Sequence, residues 1–258
     1  MQNDTMGPSP NYPIESVDKA LRVMKLFMAR PSITVSEASD ELEVGRSTAH
    51  RLLAMLVYHG FVRQDGRSRA YLPGPTLVEL GLAVVRQMDI RVIAHPYLEA
   101  LSKEVGETVH LATLVGPEVL YIDCVEGEKS LRLGNRVGRS VPAYASATGK
   151  VLLAQLEPEE VRRLFPSGRL RRLTPRSVAS RRELETQLPK IQANGYAINV
   201  EENEEGLSSI AVPILDGAGN VHGAVAVGGP STRLTPDALE RLSPKVVGCA
   251  RQISAALH

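Results

Sequence analysis

The apolar positions of this chain change period several times, and the changes divide it. Between residues 16 and 29, Val17, Ala20, Leu21, Met24, Leu26, Phe27 and Met28 are interleaved with Asp18, Lys19, Arg22 and Lys25, which is the spacing of an amphipathic helix. Ser16 reads as its cap and Pro31 as its stop. A second helix is expected over about residues 36–44, opened by Ser36 with Glu37 beside the positive helix end. Gly45 should end it, because glycine reaches the left-handed region without steric cost. The third, over about residues 46–59, puts Ala49, Leu52, Leu53 and Leu56 on one inward stripe. After Gly60 the period falls to two, and residues 61–64 and 69–72 read as short strands about an Asp65-Gly66 turn. Pro73-Gly74-Pro75 breaks the pattern. Helical spacing resumes over residues 76–88 and again over 89–105, with a break or kink expected near Pro96.

From Thr108 onward strands and helices mix. Residues 108–115 and 119–125 read as a hairpin about Gly116-Pro117, followed by a loop rich in Arg and Gly over residues 134–142. Helices are expected over residues 146–156, 157–165 and 182–194, with Gly195 capping the last and a strand over residues 196–200 behind it. Residues 207–215 and 221–227 form a further strand pair about the turn at residues 216–220. Thr235-Pro236 opens a final helix to Leu257, with proline in the first turn where its missing amide costs little. Strands in the middle and helices at both ends predict an α+β domain with a mostly antiparallel sheet.

The second and third helices with the hairpin have the layout of a winged helix-turn-helix. Ser47, Thr48, His50 and Arg51 lie near the exposed N-terminal end of the third helix, where side chains of this length reach base edges in a major groove. Arg46 is placed to hold a phosphate at the helix start, and Arg67 or Arg69 on the wing to reach the DNA backbone or minor groove. Between Gly45 and Gly74 the basic residues Arg46, Arg51, Arg63, Arg67 and Arg69 face a single acid, Asp65, while the whole chain carries a net charge of +1. Charge concentrated on one face of a neutral protein suits phosphate contact. Two packed helices alone could be an ordinary core pair; the wing, the local charge and the polar helix end together favour duplex DNA.

At 258 residues the chain can form one large domain or two ordinary ones. No apolar run approaches the roughly 20 residues of a membrane span, and the first 13 residues lack the basic-then-apolar pattern of a secretory signal. Cys124 and Cys249 are isolated, which gives neither a zinc knuckle nor a disulfide framework, so the cytoplasm is the expected compartment. Cys124 falls in an apolar strand, where the default is a small buried hydrophobe. Trp is absent and aromatics are few, which leaves no stacking platform for single-stranded nucleic acid.

Four stretches, in this order, carry a resemblance: Ser16-Val17-Asp18-Lys19-Ala20-Leu21; Gly45-Arg46-Ser47-Thr48-Ala49-His50-Arg51-Leu52-Leu53; Ala145-Ser146-Ala147-Thr148-Gly149-Lys150; and Gly195-Tyr196 running on through Glu201-Glu202 to Gly206-Leu207-Ser208-Ser209-Ile210-Ala211-Val212-Pro213. With them the chain resembles the IclR family of bacterial transcriptional regulators from about Ser16 to its last helix. The resemblance implies a winged helix-turn-helix joined by a helical linker to a GAF-like effector-binding domain. The expected division is a DNA-binding domain (16–74), a linker (75–89) and an effector domain (90–258), behind a tail (residues 1–15) whose acid, Pro and Asn content predicts disorder. The resemblance also implies homodimers or dimers of dimers on palindromic double-stranded operators, with small organic or aromatic acids adjusting the binding.

Position by position, the resemblance implies an effector pocket lined by Ala147 and Thr148 at a helix start, by Asn199 and Ser209, and by Ala226 with Gly228 on a late strand. Some members of the family carry a carboxylate at the place of Asn199, a thiol at Ser209 and hydroxyls at Ala226 and Gly228. The pocket is therefore expected to be less polar here, which favours a larger, partly apolar acid over a glyoxylate-like one, since a small anion needs donors to offset its desolvation. Helix-start amides near residues 147–149 suit the carboxylate.

Other candidates are weaker. Thr148-Gly149-Lys150 looks like the end of a phosphate loop, but Tyr144 stands where the loop requires glycine. His110 and His222 lie in strands within possible reach of Glu201, Glu202 or Asp123, yet lack diagnostic ligand spacing; hydrogen-bonded polar groups are expected, and no metal or other cofactor. Asp123 and Glu126 have no nucleophile or oxyanion donor tied to them, so no catalytic residue is expected. The basic run Arg162, Arg163, Arg169, Arg171, Arg172, Arg176, Arg181 and Arg182 reads as a solvated face. Two alternatives stand beside the regulator: an enzyme using Glu201, Glu202, Asp123 or Cys124, and a constitutive DNA binder whose second domain only oligomerises.

Overall fold

The computed structural model describes residues 12–86 and 89–257. Most of the expected tail and residues 87 and 88 of the expected linker lie outside them. The chain divides into two units, residues 1–88 and 89–258.

The first unit holds helices α1 (Glu15–Leu26), α2 (Val35–Glu41) and α3 (Arg46–Tyr58), strands β1 (Val62–Gln64) and β2 (Tyr71–Pro73), and helix α4 (Pro75–Arg86). Val23 of α1, Ala38 of α2 and the α3 stripe Ala49, Leu53 and Leu56 close one core with Ile33, Val62 and Tyr71; Leu52 packs at its edge. Strands β1 and β2 pair antiparallel with Arg63 opposite Leu72. A further bridge from Ile33 to Tyr71 ties the wing back to the start of α2.

Several local expectations are corrected here. Helix α1 begins at Glu15 behind Ile14, which offers no side-chain cap, so Ser16 lies inside the helix. The cap of α2 is Thr34, not Ser36: the Thr34 amide donates to Glu37 Oε2 at 2.7 Å and the Glu37 amide to Thr34 Oγ1 at 3.2 Å, a reciprocal capping box. Glu43, with φ 54°, takes the left-handed turn between α2 and α3. Gly45 instead has φ −63° and ψ 148° and serves as the N-cap of α3. The second wing strand begins at Tyr71 rather than at residue 69: Asp65 Oδ2 accepts from the amide and hydroxyl of Ser68, and Arg69, with φ 56°, takes the left-handed region within the loop.

The second unit opens with α5 (Asp89–Val105), which continues through Pro96 as one helix. Strands β3 (Thr108–Val115), β4 (Glu118–Val125) and β5 (Ser140–Pro142) follow, then a 3₁₀ turn (Ala143–Ala145) and helices α6 (Ala147–Leu153), α7 (Pro158–Leu164) and α8 (Arg181–Asn194). Strands β6 (Ala197–Val200), β7 (Leu207–Leu215) and β8 (Val221–Pro230) precede the last helix, α9 (Pro236–Ala255). Gly195 caps α8 in the left-handed region, φ 73°. All ladders of the sheet, ordered β5-β4-β3-β8-β7-β6, are antiparallel. Helices α5 and α9 pack against each other and the sheet, and α6 packs on β6, β7 and β8.

Register sets the rows from which a site can be built. Asn199 lies opposite Ser209, Ser209 opposite Gly228, and Gly228 opposite Thr108. The next row on the same face joins Ala197, Ala211, Ala226 and His110, because side chains two apart on a strand share a face.

Candidate functional site

On the first unit, Arg46, Ser47, Thr48, His50 and Arg51 are all exposed, as are Arg67 and Arg69. Helix α3 begins without the usual aids. Gly45 supplies no side-chain cap, the first turn holds no acid, and Arg46 stands at the positive end of the helix, where a cation is disfavoured. An isolated helix gains nothing from this arrangement; an anion against the helix start would satisfy it. Arg46 is held in place by Ser36, its Nη2 donating to Ser36 Oγ at 3.0 Å. Thr48 and Arg51 also border a shallow apolar groove with Leu52, Met55 and Tyr58.

On the second unit, one cavity gathers most of the expected effector residues. Thr148, Asn199, Ser209, Ala226 and Gly228 line it. Ala147 does not: it is fully buried and packs with Val151, Leu152, Ala197 and Ala211. The helix-start amides are also less available than expected, because Ser146 Oγ accepts from the Gly149 amide at 3.0 Å. Gly149 itself is required by packing, since a Cβ there would lie 2.2 Å from the Ala143 carbonyl oxygen. Asn199 is engaged at both ends, donating to the Ala145 carbonyl and accepting from the Glu202 amide.

The expectation of a less polar pocket rests on the positions that the resemblance names, and further polar residues join them in the cavity. His110 and Tyr121 come from β3 and β4, Arg136 from the loop before β5, and Asn203 and Glu204 from the β6–β7 turn. Leu133 covers the place left open at Gly228, where a Cβ would meet its Cδ2 at 2.8 Å. Arg136 Nη2 donates to Glu204 Oε2 at 2.6 Å. His110 is not a satisfied polar group, because its Nε2 is buried without a partner among the described residues. Burial, helped by the charge of Arg136, lowers its pKa to about 4, so the imidazole is neutral at ordinary pH. Burial likewise raises the Tyr121 hydroxyl, which stays protonated as a donor.

The remaining candidates are occupied by packing and pairing. Lys150 donates to Glu202 at 2.6 Å in a mostly buried pair; burial raises the Glu202 pKa against the pull of Lys150. Thr174 and Ser177 hold the backbone carbonyls of Glu201 and Glu202. Asp123 pairs with His95 at 2.7 Å, and His222 with Asp216 at 3.0 Å. Burial raises the Cys124 and Cys249 thiols to about 11, against a reactive thiolate. Within the basic run, Arg162 and Arg181 approach Glu185, and Arg176 approaches Glu201. Among the described residues no three His, Cys, Asp or Glu side chains come together as a metal site, and no helix is long and apolar enough to cross a membrane.

A winged helix-turn-helix unit followed by an α+β unit is the make-up of a DNA-binding transcriptional regulator. Residues 16–66 match the IclR helix-turn-helix domain and residues 82–255 the bacterial transcriptional regulator IclR C-terminal domain. The chain belongs to the IclR family of transcriptional regulators, and is a regulator rather than an enzyme. It is 34% identical over 245 residues to the HTH-type transcriptional regulator XynR of Escherichia coli (strain K12), covering 95% of this chain and 97% of that one. The crystal structure of the Thermotoga maritima IclR matches with a TM-score of 0.71 at 34% identity, over 94% of this chain and 98% of that one. An IclR homolog from Microbacterium hydrocarbonoxydans, solved in complex with 4-hydroxybenzoate, matches with a TM-score of 0.79 at 27% identity, over 94% and 98%.

Proposed function

We propose that this protein is a ligand-responsive regulator acting in the cytoplasm, whose operator affinity is adjusted by a small organic acid bound in the second unit. The cavity lined by Thr148, Asn199, Ser209, His110 and Arg136 carries this reading, because a mostly buried guanidinium beside a neutral imidazole suits a carboxylate. The Microbacterium homolog, with its bound 4-hydroxybenzoate, supports an organic acid as the class of effector. On the first unit Ser47, Thr48, His50 and Arg51 contact the major groove, Arg46 a phosphate, and Arg67 or Arg69 the backbone or minor groove. The working form is a homodimer, or a dimer of dimers, on a palindromic operator, since protein two-fold symmetry is mirrored in half-site symmetry. Selection of bound sequences from a random duplex pool by the full-length protein tests the DNA half directly. Enrichment of one inverted repeat is expected; a pool that remains unenriched after successive rounds would contradict it.

A further inference from the structure

The cavity holds polar groups that packing leaves without partners. His110, 2% exposed, has no partner for Nε2 among the described residues, and neither has the buried Ser208 Oγ on the same lining. Arg136 does have one, but the pair is lopsided: its side chain is 15% exposed and that of Glu204 is 55% exposed. An exposed carboxylate is weakly held, because solvent screens the pair and the free side chain regains its rotamers. A guanidinium removed from water, by contrast, must keep an anion. Glu204 is therefore replaceable where Arg136 is not.

We propose, resting on the effector reading above, that Glu204 is an internal occupant of Arg136 and that the effector is a short 2-hydroxy carboxylate which displaces it. The effector's carboxylate takes the place of Glu204 on Arg136, and its hydroxyl meets His110 Nε2. A neutral imidazole has one donor nitrogen and one acceptor nitrogen; a hydroxyl can serve either, whereas a carbonyl oxygen serves one. Size points the same way. With the Arg136–Glu204 pair closed the cavity measures about 40 Å³, room for a few waters, so the shortest acids need the least rearrangement beyond release of Glu204. Leu133, seated against Gly228, narrows the cavity on that side. Because each effector molecule must first free Arg136, the intact pair lowers the apparent affinity in proportion to the time it is closed.

The test is calorimetric titration of the full-length protein with glycolate, lactate, lactamide, propionate and 4-hydroxybenzoate. Glycolate or lactate should bind, propionate more weakly and lactamide not at all. Glu204→Gln should tighten hydroxy-acid binding by about fivefold or more, Arg136→Gln should weaken it by about tenfold or more, and Arg136→Lys should fall between. A merely structural ion pair predicts loss from both partners, so unchanged or weakened binding in Glu204→Gln overturns the proposal, as does binding confined to 4-hydroxybenzoate. Affinity for the selected duplex, measured on the same samples, separates two failures. A duplex response to an acid that ignores Arg136 and Glu204 overturns this assignment alone; a duplex indifferent to every acid overturns the effector reading with it.

Discussion

Arg51 and His110 show how differently single residues bear on function. Arg51 is exposed on α3, so its removal should leave folding intact and act on DNA alone. In titrations against the selected duplex, Arg51→Ala is expected to weaken specific binding by about 1–3 kcal/mol, whereas Arg67→Ala should weaken all sequences evenly and lower the salt slope by about 1. Equal losses on specific and random duplexes would remove Arg51 from base reading. His110 acts on stability. Its folded pKa, about 4, lies below the ordinary 6.5, so the fold favours the neutral ring, and this contribution is whole above 6.5 and lost as pH falls towards 4. Between pH 7 and pH 5 it should amount to about 2 kcal/mol. Urea unfolding of His110→Gln should therefore lose less stability over that interval than the unaltered protein; parallel losses would mean that the ring is not held neutral.

Elements were legible where their signals are local. The hairpin of β3 and β4 and the strand pair of β7 and β8 were read from period-two patterns, and Gly195 from its place behind α8. The start of α2 is ambiguous in the sequence although its signal is present, because Thr34-Val35-Ser36-Glu37 satisfies a capping box at Thr34 while Ser36 has the same chemistry two residues later. Only the hydrogen bonds separate them. Thr34→Ala should therefore destabilise the first unit by about 1 kcal/mol and Ser36→Ala by less, measured by thermal unfolding; the reverse order would restore Ser36 as the cap. The left-handed positions at Glu43 and Arg69 were missed because glycine was the expected residue and non-glycine residues adopt this region only when surrounding contacts hold them. Close approach is likewise invisible in one dimension. Gly149→Ala should cost about 1–3 kcal/mol, since the Ala143 carbonyl lies where its Cβ would go.

At the scale of the whole molecule, the motif-bearing half of the cavity was legible and its polar half was not. Thr148, Asn199 and Ser209 belong to recognisable stretches, and Ala226 and Gly228 follow from the same resemblance; His110, Tyr121 and Arg136 reach the same space from β3, β4 and the loop before β5, and Glu204 sits in the last stretch with nothing local to mark it as lining the cavity. The pairing that brings His110 opposite Ala226 joins strands far apart in sequence, and the local pattern of neither strand names its partner. One available sign was a histidine on a strand otherwise apolar from Val109 to Ala112. Regulation requires that the effector prefer one state of the protein over another, since equal affinity for both shifts nothing. The direct measurement is the affinity of the full-length protein for its selected duplex, with and without an acid shown to saturate the second unit. A change of about 5- to 150-fold, the usual range of allosteric coupling, is predicted. An affinity unchanged at saturation would contradict the account and leave the second unit as an oligomerisation domain alone.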